Sequence, residues 1–286
     1  MNLLITGSGT LLGRNVSLEA AKKKFNVFAS YRKSYPKHLK KNKISILKLD
    51  LSKKFYLNFK VDCLIHCASA IPSENLSEKT IMITNYYGFK KLALQAIKNG
   101  CKKIIFISTM SVYGKLNTCK IDLNTKIRPV DAYGRSKFKS EQYLVKLSKQ
   151  RKIDYFILRL PAIVGINSDY NFISKALKKI KNNEPLVYSN PNLKFNNFIH
   201  VKNLTEIIIK LVRFQGSRVL NVASNSPIKL KNIVQQMYKF EKKKNIALIQ
   251  KSKKAGFNIK INNFLKKNFN IFSTKKTLKL FLIDNR

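Results

Sequence analysis

The chain has 286 residues, of which 44% are hydrophobic, so it can bury a sizeable core in one large domain or in two unequal lobes. Its 57 lysine and arginine residues against 14 aspartate and glutamate residues give a formal net charge of +43, and the basic residues are spread along the whole chain. We attribute this charge to composition and expect no specific nucleic-acid partner, although it should attract phosphorylated ligands.

Membrane and metal functions are not expected. No apolar run is long enough to span a bilayer, and the first residues lack the basic region and cleavage site of a signal peptide, so we expect a cytoplasmic protein. The four cysteines contain no CxxC pair and the three histidines are scattered, which favours reduced thiols over a zinc site.

The first predicted element is a strand over 2–6, followed by a glycine-rich turn and a helix from 11 to about 24. Glycines in such a turn let the backbone approach a pyrophosphate, and the amino end of the helix faces the negative charge. The turn therefore predicts a dinucleotide-binding site. The residues expected to contact the cofactor here are Gly7, Gly9, Thr10, Leu11, Leu12 and Gly13.

The second predicted strand, over 26–31, ends without the acidic residue that usually binds the ribose hydroxyls of NAD. Arg32 stands there instead, and a guanidinium suits the 2′-phosphate of NADP. We therefore expect NADP in preference to NAD, with NAD as the open alternative. Strands are also predicted over 44–49 and 61–66, and the small residues after the latter leave room for a ligand at the carboxyl edge of a parallel sheet.

A helix is predicted over 78–99, and a strand over 102–107 leads into the hydroxyl-rich run from Ser108 to Ser111. The segment that follows carries Tyr133 and Lys137, and a spacing of four residues places both on one helical face. We expect the lysine ammonium to lower the pKa of the tyrosine hydroxyl from its usual value of about 10, toward use as a general acid or base.

Strands and helices alternate regularly up to a strand over 154–160, which predicts an α/β fold with a Rossmann-like, doubly wound parallel sheet. Beyond Gly165 the pattern loosens into strands over 195–200 and 219–222 and helices over 201–214 and 230–240. We expect a dinucleotide-binding domain over 1–165, to which the strands near 195–222 return, and a smaller mixed α/β substrate-binding lobe over 166–286.

These landmarks, in this order, resemble the extended short-chain dehydrogenase/reductase family, the NAD-dependent epimerase/dehydratase group. Thr6, Gly7 and Gly13 match its opening Thr-Gly-x-x-Gly-x-x-Gly, with Thr10 where the middle glycine belongs. The segments 108–114, 133–137, 159–165 and 198–201 match later landmarks of the family. The resemblance covers about residues 1–240.

The resemblance implies hydride transfer between a nicotinamide cofactor and a carbinol or carbonyl carbon. Tyr133 would act as general acid or base, Lys137 would lower its pKa and bind the nicotinamide ribose, and Thr109 would bind the reacting oxygen. Ser111 and Asn196 would contact the substrate, which we expect to be a sugar or a nucleotide sugar. The remaining implied cofactor contacts, besides Tyr133 and Lys137 themselves, are Asp50, Leu51, Cys67, Ala68, Ser69, Asn85 and Pro161.

Two departures narrow the expected activity. Met110 and Ser111 replace the Asp-Glu pair of the sugar 4,6-dehydratases, which disfavours dehydration. Asn196 and Asn197 stand where many nucleotide-sugar epimerases carry an arginine that holds the substrate diphosphate.

Our first hypothesis is an NAD(P)-dependent keto-sugar reductase. One alternative is a nucleotide-sugar epimerase that keeps NAD tightly bound, and another is a non-catalytic, cofactor-sensing or nucleic-acid-binding module on the same fold. Homodimer formation through the long helices that carry Asn85 and Tyr133 stays open.

Overall fold

The computed structural model describes residues 1–42, 44–71, 76–116, 118–251 and 256–286. Its strands, in chain order, are β1 Asn2–Thr6, β2 Asn26–Tyr31, β3 Ser45–Lys48, β4 Cys63–His66, β5 Lys103–Thr109, β6 Lys120–Ile121, β7 Asp154–Leu160, β8 Ala162–Val164, β9 Val187–Tyr188, β10 Lys194–Phe195, β11 Phe198–His200, β12 Arg218–Asn221, β13 Ile228–Lys229, β14 Leu248–Ile249 and β15 Asn258–Ile259.

The α-helices are α1 Leu11–Lys22, α2 Glu78–Met82, α3 Phe89–Lys98, α4 Ala132–Arg151, α5 Phe172–Lys181, α6 Val201–Leu211, α7 Leu230–Phe240, α8 Asn263–Asn268 and α9 Thr274–Asp284. A π-helix at Ile83–Gly88 joins α2 to α3, and short 3₁₀ helices span Lys37–Asn42 and Met110–Tyr113. The single helix expected over 78–99 therefore changes its hydrogen-bond pattern in the middle.

Seven strands form the main sheet in the order β12-β7-β5-β4-β1-β2-β3. β1 pairs in parallel with both β2 and β4, and the β2–β3 and β4–β5 pairs are parallel as well. All residues of β4 and β5 are buried, as in parallel sheets covered by helices on both faces. The predicted Rossmann-like, doubly wound sheet is thus confirmed, and the order in which its strands follow the chain reverses between β1 and β4.

The chain divides into two compact units. Unit 1 comprises 1–114, 126–159 and 204–220, and unit 2 comprises 115–125, 160–203 and 221–286. This division differs from the one expected from sequence, because 115–125 belongs to unit 2 and the boundary follows Arg159 instead of Gly165. The strand β12 lies in the main sheet beside β7, whereas β10 and β11 lie in two-stranded sheets within unit 2.

The strand expected over 195–200 is broken into β10 and β11 at Asn196 and Asn197. The backbone turns there, because the N–H of Phe198 donates to the carbonyl of Asn196 at 2.8 Å. The side-chain amide of Asn196 replaces the missing ladder bonds by pairing with both backbone groups of Ile259. An apolar run interrupted by two asparagines therefore encodes two short strands.

The core of unit 1 lies between the main sheet and the helices α3 and α4. Fully or almost fully buried side chains from these elements form one cluster, among them Leu64, Phe89, Leu92, Ile104, Leu144 and Leu147. The core of unit 2 is formed in the same way by α5, α7 and α9 around β11, with Ile173, Leu177, Phe198, Ile233, Met237, Leu278 and Phe281 in contact. Both amphipathic sets bury the face that their apolar spacing marks.

Within the described ranges, no helix combines the length and the apolarity needed to cross a membrane. The same part of the chain contains no group of three or more His, Cys, Asp or Glu side chains that could hold a metal ion.

Lys103, the first residue of β5, is a buried lysine with a defined structural role. Its ammonium donates to the carbonyls of Val212, at 2.8 Å, and of Phe214, which follow the end of α6. A cation at the carboxyl end of a helix satisfies carbonyl groups that have no partner within the helix.

We predict that Lys103→Met lowers the free energy of unfolding by about 2–4 kcal/mol, because one buried and one half-buried carbonyl lose their donor. Urea unfolding monitored by circular dichroism would measure the change. Lys102→Met is the matched control, since Lys102 is exposed and adjacent, and we expect it to change the stability by less than about 0.5 kcal/mol. Equal effects of the two substitutions would contradict the capping role.

Candidate active site

The glycine turn after β1 requires glycine at two positions. Gly7 has φ +72°, and a Cβ there would lie 2.8 Å from the backbone nitrogen of Ala68. A Cβ on Gly13 would lie 2.2 Å from the carbonyl oxygen of Gly7, so the first turn of α1 packs directly on the glycine turn. These two glycines bring the end of β1, the end of β4 and the start of α1 together.

Thr10, at the position of the family's middle glycine, is the N-cap of α1. Its hydroxyl donates to the carbonyl of Gly7 at 2.8 Å and accepts from the N–H of Gly13 at 3.2 Å. The turn therefore closes around a threonine without positive φ, in extended backbone at φ −90°. Gly9 has no such constraint, since the nearest atom to a Cβ there is 3.7 Å away.

A cavity of about 210 Å³ opens beside this turn within unit 1. It brings together seven residues that the sequence analysis assigned to the cofactor: Gly7, Gly9, Thr10, Arg32, Leu51, Ala68 and Ser69. The cavity is also lined by Thr84, whose buried hydroxyl has no hydrogen-bond partner among the described residues. Glycines that admit close backbone approach, basic residues at the rim and an unsatisfied buried hydroxyl together fit a polar dinucleotide.

Other predicted cofactor contacts lie outside the lining of this cavity. Leu12 is 4% exposed and packs into the core, so its side chain is not a ligand contact, and Leu11 is half-buried beside it. Cys67 is an inert thiol, because burial raises its pKa to about 12. Pro161 belongs to unit 2.

Asp50 adjoins the cavity-lining residues Leu49 and Leu51 and accepts hydrogen bonds from the N–H and the hydroxyl of Ser52, at 2.9 and 2.6 Å. Burial pushes its pKa up, but the hydrogen bonds from Ser52 and the charges of Arg32 and Lys53 outweigh burial and lower it. Asp50 is therefore an ionised carboxylate within the electrostatic reach of Arg32.

Asn85 was expected to contact the cofactor, but the structure gives it a positioning role. Its amide oxygen accepts from the N–H of Ala70 at 2.7 Å and from the hydroxyl of Ser69 at 3.2 Å. Its amide nitrogen donates to the carbonyl of Ala70 at 2.9 Å and to the hydroxyl of Ser136 at 3.1 Å. Because these bonds use both donors and the acceptor, Asn85 ties the end of β4 to α4 from within the π-helix.

Tyr133 and Thr109 lie together, as predicted. The Tyr133 hydroxyl has the hydroxyls of Thr109 and Ser69 as hydrogen-bond partners. Thr109 also donates to the hydroxyl of Ser111 at 3.2 Å and accepts from its backbone N–H at 3.1 Å. A phenol and three aliphatic hydroxyls thus meet where β4, β5 and α4 converge, an arrangement that can pass a proton to and from a substrate oxygen.

The expected direction of the Tyr133 pKa shift is wrong. Burial raises the pKa of Tyr133 and dominates, the hydrogen bonds with Ser69 and Thr109 oppose it, and the charge of Asp131 adds to the increase. The predicted lowering by Lys137 rested on spacing alone, and spacing does not report burial. In the protein as described, Tyr133 is a neutral phenol at neutral pH.

Lys137 lies one turn after Tyr133 on the buried face of α4 and is 2% exposed. Its ammonium lies 4.3 Å from the ring centroid of Phe106 on β5. Burial lowers the pKa of Lys137 to about 8, and the charge of Glu141 opposes this shift. The lysine is therefore cationic at neutral pH and within reach of deprotonation.

The two predicted substrate contacts have different outcomes. Ser111 is half-buried beside Thr109. Asn196, in unit 2, is 1% exposed and uses its amide on the carbonyls of Ser224 and Ile259 and on the N–H of Ile259, which contradicts a direct substrate contact. Its neighbour Asn197 lines a cavity of about 700 Å³ and has a buried amide oxygen with no partner among the described residues.

Thr84, Ser136, Glu141 and Asn197 are residues of these sites that the sequence analysis missed. Glu141 continues the four-residue spacing from Tyr133 through Lys137, so the helical period carried a signal for it. Asn197 stands beside Asn196 at the position of the family's arginine, but the sequence does not show which of the two faces a cavity. Thr84 and Ser136 had no signal, because only the packing shows where a hydroxyl points.

Comparison with known proteins identifies the family. The sequence profile described as NAD dependent epimerase/dehydratase family matches residues 3–223. The chain belongs to this family. It is therefore related to enzymes, and the resemblance drawn from its motifs is confirmed.

Two curated relatives of this family member illustrate its range. The chain is 26% identical over 222 residues to the UDP-glucose 4-epimerase of Vibrio cholerae, covering 74% of this chain and 66% of the relative. It is 27% identical over 194 residues to the dTDP-4-dehydro-6-deoxyglucose reductase of Escherichia coli, covering 64% and 60%. The matches thus span about three fifths to two thirds of the length of these relatives.

The fold is shared with a solved structure. The structure of the UDP-glucose 4-epimerase with UDP-glucose from Thermotoga maritima superimposes with a TM-score of 0.83 at 17% identity, covering 100% of this chain and 99% of that chain. At this identity the likeness establishes the shared fold.

We predict a pH-dependent contribution of Lys137 to stability. Below about pH 8 the side chain is protonated in the folded and the unfolded state, and between about 8 and 10.5 the unfolded chain binds more protons. Wild type should therefore gain up to about 3 kcal/mol of unfolding free energy relative to Lys137→Met as the pH rises through this window.

Denaturant unfolding at several pH values measures this difference. Lys139→Met, which removes an exposed lysine from the same helix, is the control and should give a difference that is independent of pH. A flat profile for Lys137→Met would show that its ammonium is not destabilised by burial.

Proposed function

We propose that this protein is a nucleotide-sugar 4-epimerase that uses NAD. The observation that supports this most is the meeting of the Tyr133, Thr109 and Ser69 hydroxyls one helical turn from the buried ammonium of Lys137. The family membership and the relative named UDP-glucose 4-epimerase support epimerisation in preference to the keto-sugar reduction expected first. NAD supplies the chemistry of accepting a hydride from the sugar carbon and returning it.

The chain's own residues move the proton. The phenol of Tyr133 first releases its own proton to the solvent. The phenolate then takes the proton of the sugar hydroxyl as the carbon is oxidised and returns it when the carbon is reduced on its other face. Thr109 hydrogen-bonds the same oxygen and fixes its distance from the phenol. Lys137, one turn further along α4, stabilises this phenolate by its positive charge.

The cavity of about 700 Å³ in unit 2 suits the nucleotide part of the substrate. Tyr188 and Phe257 line it and offer aromatic faces to a base, and Lys251 offers a cation to a diphosphate. The unpaired amide oxygen of Asn197 can accept from the ring N–H of a pyrimidine. Asn197 therefore takes the binding role that the sequence analysis assigned to Asn196.

We predict that the protein converts UDP-galactose to UDP-glucose with NAD⁺ present and without net formation of NADH. Tyr133→Phe should lower the rate at least about 100-fold, because it removes the proton carrier. Chromatographic separation of the two sugar nucleotides measures the rate. Tyr143→Phe is the control: it removes a tyrosine hydroxyl from the same helix, away from the cluster formed by Tyr133, Thr109 and Ser69, and should retain the wild-type rate. Full activity of Tyr133→Phe would remove Tyr133 from the mechanism.

A keto-sugar reductase is the second candidate. A neutral phenol is ready to donate a proton to a carbonyl oxygen, as reduction requires, and the Escherichia coli relative carries a reductase name. Stoichiometric oxidation of NADPH or NADH by a 4-keto sugar nucleotide, with no interconversion of UDP-galactose and UDP-glucose, would establish this activity in place of the epimerase.

We further propose that the cofactor site accepts NADP as well as NAD. Arg32 and Lys33 line the cavity beside the glycine turn, so a 2′-phosphate meets two cations there. Arg32→Ala should weaken NADPH binding about ten-fold and NADH binding less than about two-fold, measured by cofactor fluorescence. Lys22→Ala, at the opposite end of α1, is the control. Equal losses for both cofactors would show that Arg32 does not contact the 2′ position.

A further inference from the structure

Glu141 is a buried carboxylate on α4, one turn beyond Lys137. The guanidinium of Arg159 on β7 donates from Nη2 to Oε2 at 2.6 Å and from Nε to Oε1 and Oε2 at 3.1 and 3.2 Å. The hydroxyl of Ser108 on β5 donates to Oε1. The side chains of Arg159 and Glu141 are 6% and 3% exposed, so the pair lies within the protein interior.

The network reaches both ends of the segment that carries Thr109. Ser108 is the residue before Thr109, and it is bound to Glu141. At the other end of the segment, the hydroxyl of Tyr113 accepts from Nη1 of Arg159 at 3.0 Å, and the guanidinium carbon lies 5.1 Å from the Tyr113 ring centroid. One carboxylate on α4 thus holds this segment on either side of Thr109, directly and through Arg159.

Glu141 also acts on Lys137 through its charge. Its carboxylate opposes the effect of burial on the pKa of Lys137. The other groups facing Lys137 are the thiol of Cys67 and the imidazole of His66, which follow each other at the end of β4. The carboxylate therefore keeps a proton on a lysine that burial alone would neutralise more readily.

We propose that Glu141 is a positioning residue for the proposed acid/base group. It fixes the position of Thr109 relative to the face of α4 that carries Tyr133, and it keeps Lys137 cationic. This rests on the proposed function, because it assigns Glu141 a role only through Thr109, Tyr133 and Lys137. A merely structural ion pair would affect stability and leave the protonation of Lys137 and the ratio of kcat to KM untouched.

Glu141→Gln tests the charge. The amide is isosteric. Its one oxygen can still accept from Arg159 while its NH2 group donates to the hydroxyl of Ser108, but it no longer attracts the ammonium of Lys137. We expect NADH binding to weaken at alkaline pH as Lys137 loses its proton. In Glu141→Gln this alkaline limb of the binding profile, followed by NADH fluorescence, should move to lower pH by about half a unit to one unit. In the UDP-galactose assay we expect kcat to fall about ten-fold and KM to change less than about two-fold. An unshifted limb together with an unchanged kcat overturns the proposal.

Ser108→Ala tests the geometry and covers the case in which Glu141→Gln does not fold. It removes one hydrogen bond to Glu141 and leaves the ion pair with Arg159 intact. We expect a lower kcat with no shift of the alkaline limb, because the charge near Lys137 is unchanged. A kcat equal to that of wild type overturns the positioning of Thr109 through Ser108.

Glu78→Gln is the matched control. It removes the exposed carboxylate that binds Arg135 of α4 at 2.9 Å, so it deletes the same charge and another Glu–Arg link to the same helix. It should leave the alkaline limb and kcat at their wild-type values, and an equal shift in this variant overturns the assignment to Glu141.

The proposed function fails on a different result, which is full activity of Tyr133→Phe. A displaced NADH-binding limb in Glu141→Gln requires no turnover and so separates the two failures.

Discussion

The arrangement of the site depends on the burial of one face of α4. Tyr133, Lys137 and Glu141 succeed one another at four-residue intervals on this face, and α4 packs on β5 and on the π-helix. Polar ties hold the helix in place: Asn85 binds Ser136 and its carbonyl accepts from Ser140, while Glu141 binds the end of β5. Since these ties join loop, strand and helix, the hydroxyls and the ammonium keep fixed positions before any ligand arrives.

Burial of this face acts on its charges in one direction. It raises the pKa of the phenol of Tyr133 and lowers the pKa of the ammonium of Lys137, so it favours the neutral form of each. The carboxylate of Glu141 opposes this for Lys137, and Arg159 compensates the carboxylate in turn. The charged groups of this buried site are therefore coupled, so that moving one proton changes the electrostatic energy of several neighbours at once.

The sequence predicted those elements whose pattern is local. The apolar runs of β1, β4, β5 and β7 and the Tyr-x-x-x-Lys spacing on α4 follow from side-chain periodicity, which tertiary packing does not alter. The π-helix was not predictable, because a slipped hydrogen bond leaves the apolar spacing almost unchanged. The raised pKa of Tyr133 and the use of the Asn196 amide on backbone groups within unit 2 depend on burial, which the order of neighbouring polar residues does not reveal.

Thr10 gives the cofactor cavity a property that a glycine turn lacks. Its hydroxyl already accepts from the N–H of Gly13 at the amino end of α1, and Thr10 itself lines the cavity. A diphosphate that docks on this helix end must therefore take over a hydrogen bond that is already made. At that one N–H the gain on docking is only the difference between two hydrogen bonds.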